Sequence, residues 1–216
     1  MNNKWLSRMS WKYGRYAIHN LILYIVIGQA IVFGSDFILS ASGINLTSML
    51  EFDMNAIMRG QIWRIISFIF VPASSGFILF TLLAMYFSWL IGSALENEWG
   101  AFKFNLFYLT GVIGTIIGGL ITGYATNFYL SMSMFLAFAS IFPDFQILLF
   151  FIIPIKVKFL AWVTAFFLFA SLITGSWSVR ASIVMSILNL ILYFGPQMWE
   201  RLRQWQRRTA WKRKMR

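Results

Sequence analysis

Apolar residues gather along this chain in six long stretches: Tyr16 to Ile38, Phe77 to Leu95, Phe102 to Gly123, Phe128 to Phe142, Phe159 to Gly175 and Val179 to Phe194. A helix that crosses a bilayer needs about 20 predominantly apolar residues, so the pattern predicts six membrane helices joined by polar loops. The fourth stretch is short: at 1.5 Å per residue it covers roughly 22 Å against a hydrocarbon core of about 30 Å. It is expected to be ringed by the other helices, or to sit where the bilayer is thinned. The first stretch is too long for the apolar part of a signal peptide and ends at Gly34, Ser35 and Asp36 without a small-x-small cleavage site, so it reads as a retained helix. The segment from Leu39 to Gly76 carries Glu51, Asp53, Arg59 and Arg64 and the run IWRIISFIFVP, which Arg64 and Pro72 break. It reads as a helical hairpin lying in the outer interface.

Composition agrees with a membrane chain. Of 216 residues 59% are apolar, 19% aromatic and 12% charged, the last about half the share of a soluble domain. Too little polar surface remains to cover a soluble fold, which excludes soluble enzymes and binding modules. The absence of cysteine and the single histidine, His19, argue against thiolate sites, disulfides and multi-histidine metal or haem sites; no metal or cofactor is expected. The net charge of +11 is concentrated at the ends. Lys4, Arg8, Lys12 and Arg15 open the chain, and eight bases follow Glu200. Both termini are therefore expected in the cytoplasm of a cell-membrane protein with an even number of spans. Trp5, Trp11, Trp99 and Trp199 on the inner side, and Trp63 and Trp177 on the outer, fit aromatic belts on this topology. The tail from Glu200 to Arg216, with Trp205 and Trp211 among its bases, reads as a helix on anionic headgroups, the alternative being a partner-binding or nucleic-acid arm. No repeat or long linker divides the chain: 1–15 is a basic terminus, 16–195 one membrane domain and 196–216 a basic tail.

Two sets of small or polar residues mark helix contacts. Gly111, Gly114, Gly118 and Gly119 let a neighbouring backbone approach the third stretch. Ser182, Ser186 and Asn189 recur on one face of the last, as packing contacts or a polar groove.

Three motifs together resemble the rhomboid superfamily. GQIWRIISFIFVP, with the pair Trp63 and Arg64, resembles the family's outer loop. GSALENEWG, with Gly92, Leu95, Glu96 and Gly100, resembles its G-x-x-L-E-x-x-x-G, and FYL follows. FPDFQILLFFIIPIKVK, with Pro143 and Pro154, resembles the segment after its fourth span. The match covers about residues 55–195 and implies an all-α six-helix membrane bundle with an interfacial loop between the first two helices. Each residue also has a plainer reading: Arg64 as a snorkelling or paired cation, Trp63 as an aromatic-belt residue, Glu96 as a helix-end contact. They are expected to be scaffold.

Rhomboid proteases cut peptide bonds with a serine on the fourth span and a histidine on the sixth, because a hydroxyl is a weak nucleophile without a base and the oxyanion needs donors. By that resemblance Val179 replaces the histidine, and Phe77 and Thr81 replace the oxyanion-hole histidine and asparagine; Thr81 retains a hydroxyl donor. Counting back from Pro143 without a gap puts Phe128 at the serine, whereas a three-residue gap puts Ser131 there. Ser131 and Ser133 are the nucleophile candidates, and neither has the flanking glycines of G-x-S-G. His19 belongs near the opposite end of the first span, and Lys156 and Lys158 to the inner loop.

The resemblance therefore implies a catalytically inactive, rhomboid-like pseudoprotease, related in kind to inactive rhomboids and derlins. It would bind transmembrane segments of clients in the lateral gap between the second and fifth helices, where Phe159, Phe166, Phe167 and Phe169 form an apolar wall. The alternatives are an active intramembrane serine protease with an atypical site, and a small transporter or channel. The last expects ionisable residues at depth, whereas Asp36, Lys103 and Arg180 lie near the ends of their stretches. Expected partners are membrane lipids, anionic headgroups at the tail and transmembrane clients, with no nucleic acid.

Overall fold

The computed structural model describes residues 11, 12, 14–40, 42, 43, 45–72, 77–149 and 153–193. The readings of Lys4, Trp5, Arg8, Gly76, Phe194, Trp199 and the tail from Glu200 to Arg216 lie outside them.

Long apolar runs free of internal proline wind into helices. After a 3₁₀ turn at Gly14–Tyr16 come α1 (Leu21–Ser40), α2 (Leu46–Leu50), β1 (Phe52–Asp53), α3 (Met54–Met58), α4 (Arg64–Ser67) and a 3₁₀ turn at Phe68–Phe70. Next are α5 (Ile78–Trp99), α6 (Ala101–Thr122), β2 (Tyr124–Ala125), α7 (Phe128–Ile141), β3 (Gln146–Leu149), β4 (Ile153–Lys156) and α8 (Val157–Thr174), then α9 (Trp177–Tyr193). Among the described residues four helices are long and apolar enough to cross a membrane: Gly14–Leu39, Ile78–Trp99, Ala101–Thr122 and Val157–Thr174. Phe128–Ile141 and Trp177–Tyr193 are apolar but shorter. The chain is a mostly helical membrane protein.

The core lies where α5, α6, α7 and α9 meet. Trp99, Phe107 and Tyr193 stack edge to face, with centroids 5.3 and 5.2 Å apart, an arrangement worth about 0.5–1.5 kcal/mol per pair beyond area burial. The glycines of α6 set this distance. A Cβ on Gly111 would strike Leu130 and come 2.8 Å from Asn189 Nδ2, while Gly114 and Gly118 face Met185 of α9. Gly119 turns to the loop, with Phe52 and Ala125 2.7–2.8 Å from any added Cβ. The contact reading of these glycines is the one the structure shows. α7, with 14 residues and roughly 21 Å of length, packs against α5, α6 and α8, and α9 reaches it through a hydrogen bond from Ser186 Oγ to the Tyr129 carbonyl.

Two expectations need correction. The segment between α1 and α5 is no helical hairpin: it folds as three short helices, one strand and a 3₁₀ turn, and β1 pairs antiparallel with β2, Phe52 opposite Ala125. It reaches the middle of α1, where the Gln29 Nε2 donates to the Ile69 carbonyl at 3.1 Å. The run after α7 is not a plain loop either, but the antiparallel hairpin β3–β4, Gln146 opposite Lys156. A helix would have to carry Pro154 in its interior. At the hairpin base Asp144 accepts from Lys156 Nζ at 3.2 Å and Lys158 Nζ at 3.4 Å. These bonds hold its carboxyl below the ordinary value, Lys156 contributing first. The stabilisation is present above the unfolded pKa and is lost as pH falls through the lowered folded value; at this exposed site it is small.

Gly111→Ala is expected to destabilise the protein in detergent by about 1–3 kcal/mol. Gly34→Ala, on an open face of α1, is expected to stabilise it by about 0.5–1 kcal/mol. Denaturant unfolding of both variants measures the contrast, and equal effects would refute the packing assignment.

Candidate functional site

Apolar surroundings leave irregular backbone few ways to satisfy its polar groups, and the segment before α5 does so with side chains from within and from neighbouring helices. Arg64, only 8% exposed, donates through Nη1 to the carbonyls of Ser48 at 2.7 Å and Glu51 at 2.9 Å, and through Nε to Gln61 Oε1 at 2.6 Å. Its planar fork thus ties α4 to the end of α2. Trp63 beside it is exposed. Ser67 Oγ donates to the Leu50 carbonyl at 2.9 Å. Asp36 accepts from the Leu46 and Thr47 amides at 2.6 and 3.2 Å and from Thr47 Oγ1 at 3.0 Å, so the acid near the end of α1 satisfies the orphan donors of α2. Asn127 Nδ2, just before α7, donates to the Ile69 carbonyl at 3.0 Å.

The motif at the end of α5 joins it to the start of α1. Gly92 lies against Ile22 so closely that a Cβ would come 2.5 Å from Ile22 Cγ1. One turn on, buried Glu96 accepts from the Asn20 amide at 2.6 Å, placing negative charge at the positive end of α1. Leu95 is fully buried between them, and Gly100, at φ 83°, makes the turn into α6 that a side chain would strain. Pro143 accepts at its carbonyl from the Lys158 amide at 3.2 Å, and Pro154 stands opposite Leu148 in the hairpin.

Where a protease site would lie, the described residues offer no base. Val179 packs against Gly175. Phe77 and Phe128 are exposed. The Thr81 hydroxyl, 1% exposed, donates to the Phe77 carbonyl at 3.2 Å and is turned into its own helix, so it does not offer the donor that the sequence left open. Ser133 is likewise 1% exposed and donates to the Leu130 carbonyl at 2.8 Å, which removes it from any open cavity. Ser131 is half-buried one turn from Asn127, to whose carbonyl its amide donates at 3.0 Å. His19 is exposed beside Asn20 and Glu96, at the far end of α1 from the Asp36 cap. Among the described residues no group of three or more His, Cys, Asp or Glu can hold a metal.

The face of Ser182, Ser186 and Asn189 is buried. Asn189 donates to the Phe107 carbonyl at 3.3 Å and accepts from Thr110 Oγ1 at 2.8 Å. It is a packing seam against α6 and α7. Sequence reasoning missed Gln29, Asn127 and Asp36 as anchors of the loop; the signal was Gln29 alone in an otherwise apolar run of α1. No protein-family model matches this chain, and no curated protein matches it.

Arg64→Ala leaves the Ser48 and Glu51 carbonyls without their donor and is expected to cost about 2–3 kcal/mol. Arg64→Lys, a point charge without the fork, is expected to recover less than half of that. Thermal melting in detergent reads both, and wild-type melting in Arg64→Ala would remove the anchor role.

Proposed function

We propose that this chain is a catalytically inactive, rhomboid-like membrane protein of six helices, both termini cytoplasmic, which binds transmembrane segments of client proteins. The observation that carries the inactive reading is the fate of the hydroxyls: Thr81 and Ser133 donate to carbonyls of their own helices, and Ser131 stands at the opposite end of the bundle from His19. The three motifs that resemble the family support the rest, because Arg64 and Glu96 hold backbone amides and carbonyls instead of facing an open cleft.

The binding surface on this reading is the side of the bundle between α5 and α8. α8 packs on α7 and β4 and makes no extended packing with α5. Its residues Phe159, Trp162, Phe166, Phe167 and Phe169 are exposed, as are Leu79, Leu82 and Tyr86 of α5. Two apolar walls with little between them accept a third helix at low cost, since entering it exchanges lipid contacts for aromatic ones. The short α7 and the sunken loop support local thinning of the bilayer, which lowers the barrier for a client helix that is itself short or polar.

A photo-crosslinking residue at Phe166 or Leu82 is expected to trap co-expressed single-spanning proteins, and one at Leu120 on α6 is not. Equal trapping at all three positions would mean lipid-like exposure without client binding. Labelling of the bilayer-reconstituted protein by a fluorophosphonate, abolished in Ser131→Ala, would replace this reading with the active protease.

A further inference from the structure

At the end of the bundle where α1 begins, on the side of α6 that the proposed client surface does not use, lies a groove of about 320 Å³ lined by Tyr16, Ala17, Phe102, Asn105, Leu106 and Leu109. Phe102, Asn105, Leu106 and Leu109 recur three and four residues apart on one face of α6. The groove therefore runs lengthwise for about 10 Å, parallel to the lipid chains around a spanning helix. Five of its six linings present apolar atoms to it. The sixth, Asn105, puts a side-chain amide in the wall; its Oδ1 is buried with no partner among the described residues.

Two basic residues adjoin the lining residues in the chain. Arg15 lies beside Tyr16, its guanidinium 5.0 Å from the Tyr16 ring centroid and donating to the Tyr16 hydroxyl at 3.0 Å. Lys103 follows Phe102 in the first turn of α6 and is half-buried. The acids at this end are Glu96, turned to the Asn20 amide, and exposed Glu98. An apolar groove along the first two turns of α6, with Arg15 beside Tyr16, Lys103 next to Phe102 in the chain and an amide in its wall, matches a molecule with an acyl chain, a phosphate and a hydrogen-bonding ester region.

We propose that this groove binds one anionic phospholipid, its acyl chain along Phe102 to Leu109 and its phosphate against Arg15 and Lys103. The lipid seals the start of α1 to α6, where contacts among the described residues leave the groove open. The Asn105 Nδ2 donates to an ester carbonyl of the lipid.

The test uses the full chain in nanodiscs of equal parts phosphatidylglycerol and phosphatidylcholine, each in turn carrying a diazirine in its acyl chain, with the adducts mapped by mass spectrometry. Phosphatidylglycerol is expected to label 102–109 about ten-fold over phosphatidylcholine, the preference two cations near a headgroup provide. Arg15→Gln with Lys103→Gln should bring that ratio towards one, and Leu106→Trp should remove the label while Leu120→Trp leaves it. The tail sequence is the same in all of these variants, so any attraction it has for headgroups does not distinguish them. The proposal is overturned by annular lipid only, seen as equal labelling of 102–109 and of the exposed face of α8. It is equally overturned by a preference that survives the double variant, or by an absence of label in the groove, as when residues 1–10 occupy it.

Discussion

Backbone that is neither helix nor closed sheet cannot face lipid with its amides and carbonyls unpaired, and this protein places such backbone against the middle of its first long helix. The solution centres on one carbonyl. Ile69 O accepts from Gln29 of α1 and from Asn127 at the head of α7, so one oxygen joins three parts of the chain. Arg64, Ser67 and Asp36 satisfy the remainder of the segment, and the β1–β2 pair ties it to the turn before α7. Because the segment covers the head of α7, a helix of 14 residues fits inside a bundle whose neighbours are longer. The short helix and the sunken loop are two sides of one constraint.

That constraint also shapes what the molecule can do. Side chains with hydrogen-bonding capacity around α7 are directed at backbone carbonyls: Asn127 at Ile69, Ser186 at Tyr129, Ser133 at Leu130 and Asn189 at Phe107. Each such bond contributes about 1 kcal/mol to stability, and each removes a donor from chemistry. The apolar surface is distributed differently. α6 buries the largest share of any long helix and α8 the smallest; α8 packs on α7 and β4 and leaves Phe159, Phe166, Phe167 and Phe169 exposed.

Much of the architecture was legible in the sequence. Hydropathy located the long helices because lipid-facing and core-facing positions are both apolar, and the glycines of α6 announced a close neighbour. Arg64 and Glu96 stood out as charges inside apolar runs. Their partners were not legible, because they are backbone atoms of Ser48, Glu51 and Asn20, and a carbonyl leaves no trace in residue identity. The two-residue strands β1 and β2 are too short to show alternation, and they exist through the pairing itself. The hairpin β3–β4 was hidden by uniform apolarity, which erases the period that distinguishes strand from helix; Pro154 was the one sign against a helix. For the candidate site, the positions lacking a base could be read directly, whereas the inward turn of Thr81 and Ser133 required the fold.

Side-chain amides of α1 and of the residue before α7 hold the segment 64–72 as part of the bundle. Hydrogen–deuterium exchange of that segment, in the wild type and in the double variant Gln29→Ala with Asn127→Ala, tests it most directly. The account predicts wild-type protection approaching that of α5 and α6, and at least about ten-fold faster exchange of 64–72 in the variant with both helices unchanged. A segment that exchanges like free peptide in the wild type, or that keeps its protection when both amides are gone, would contradict the account.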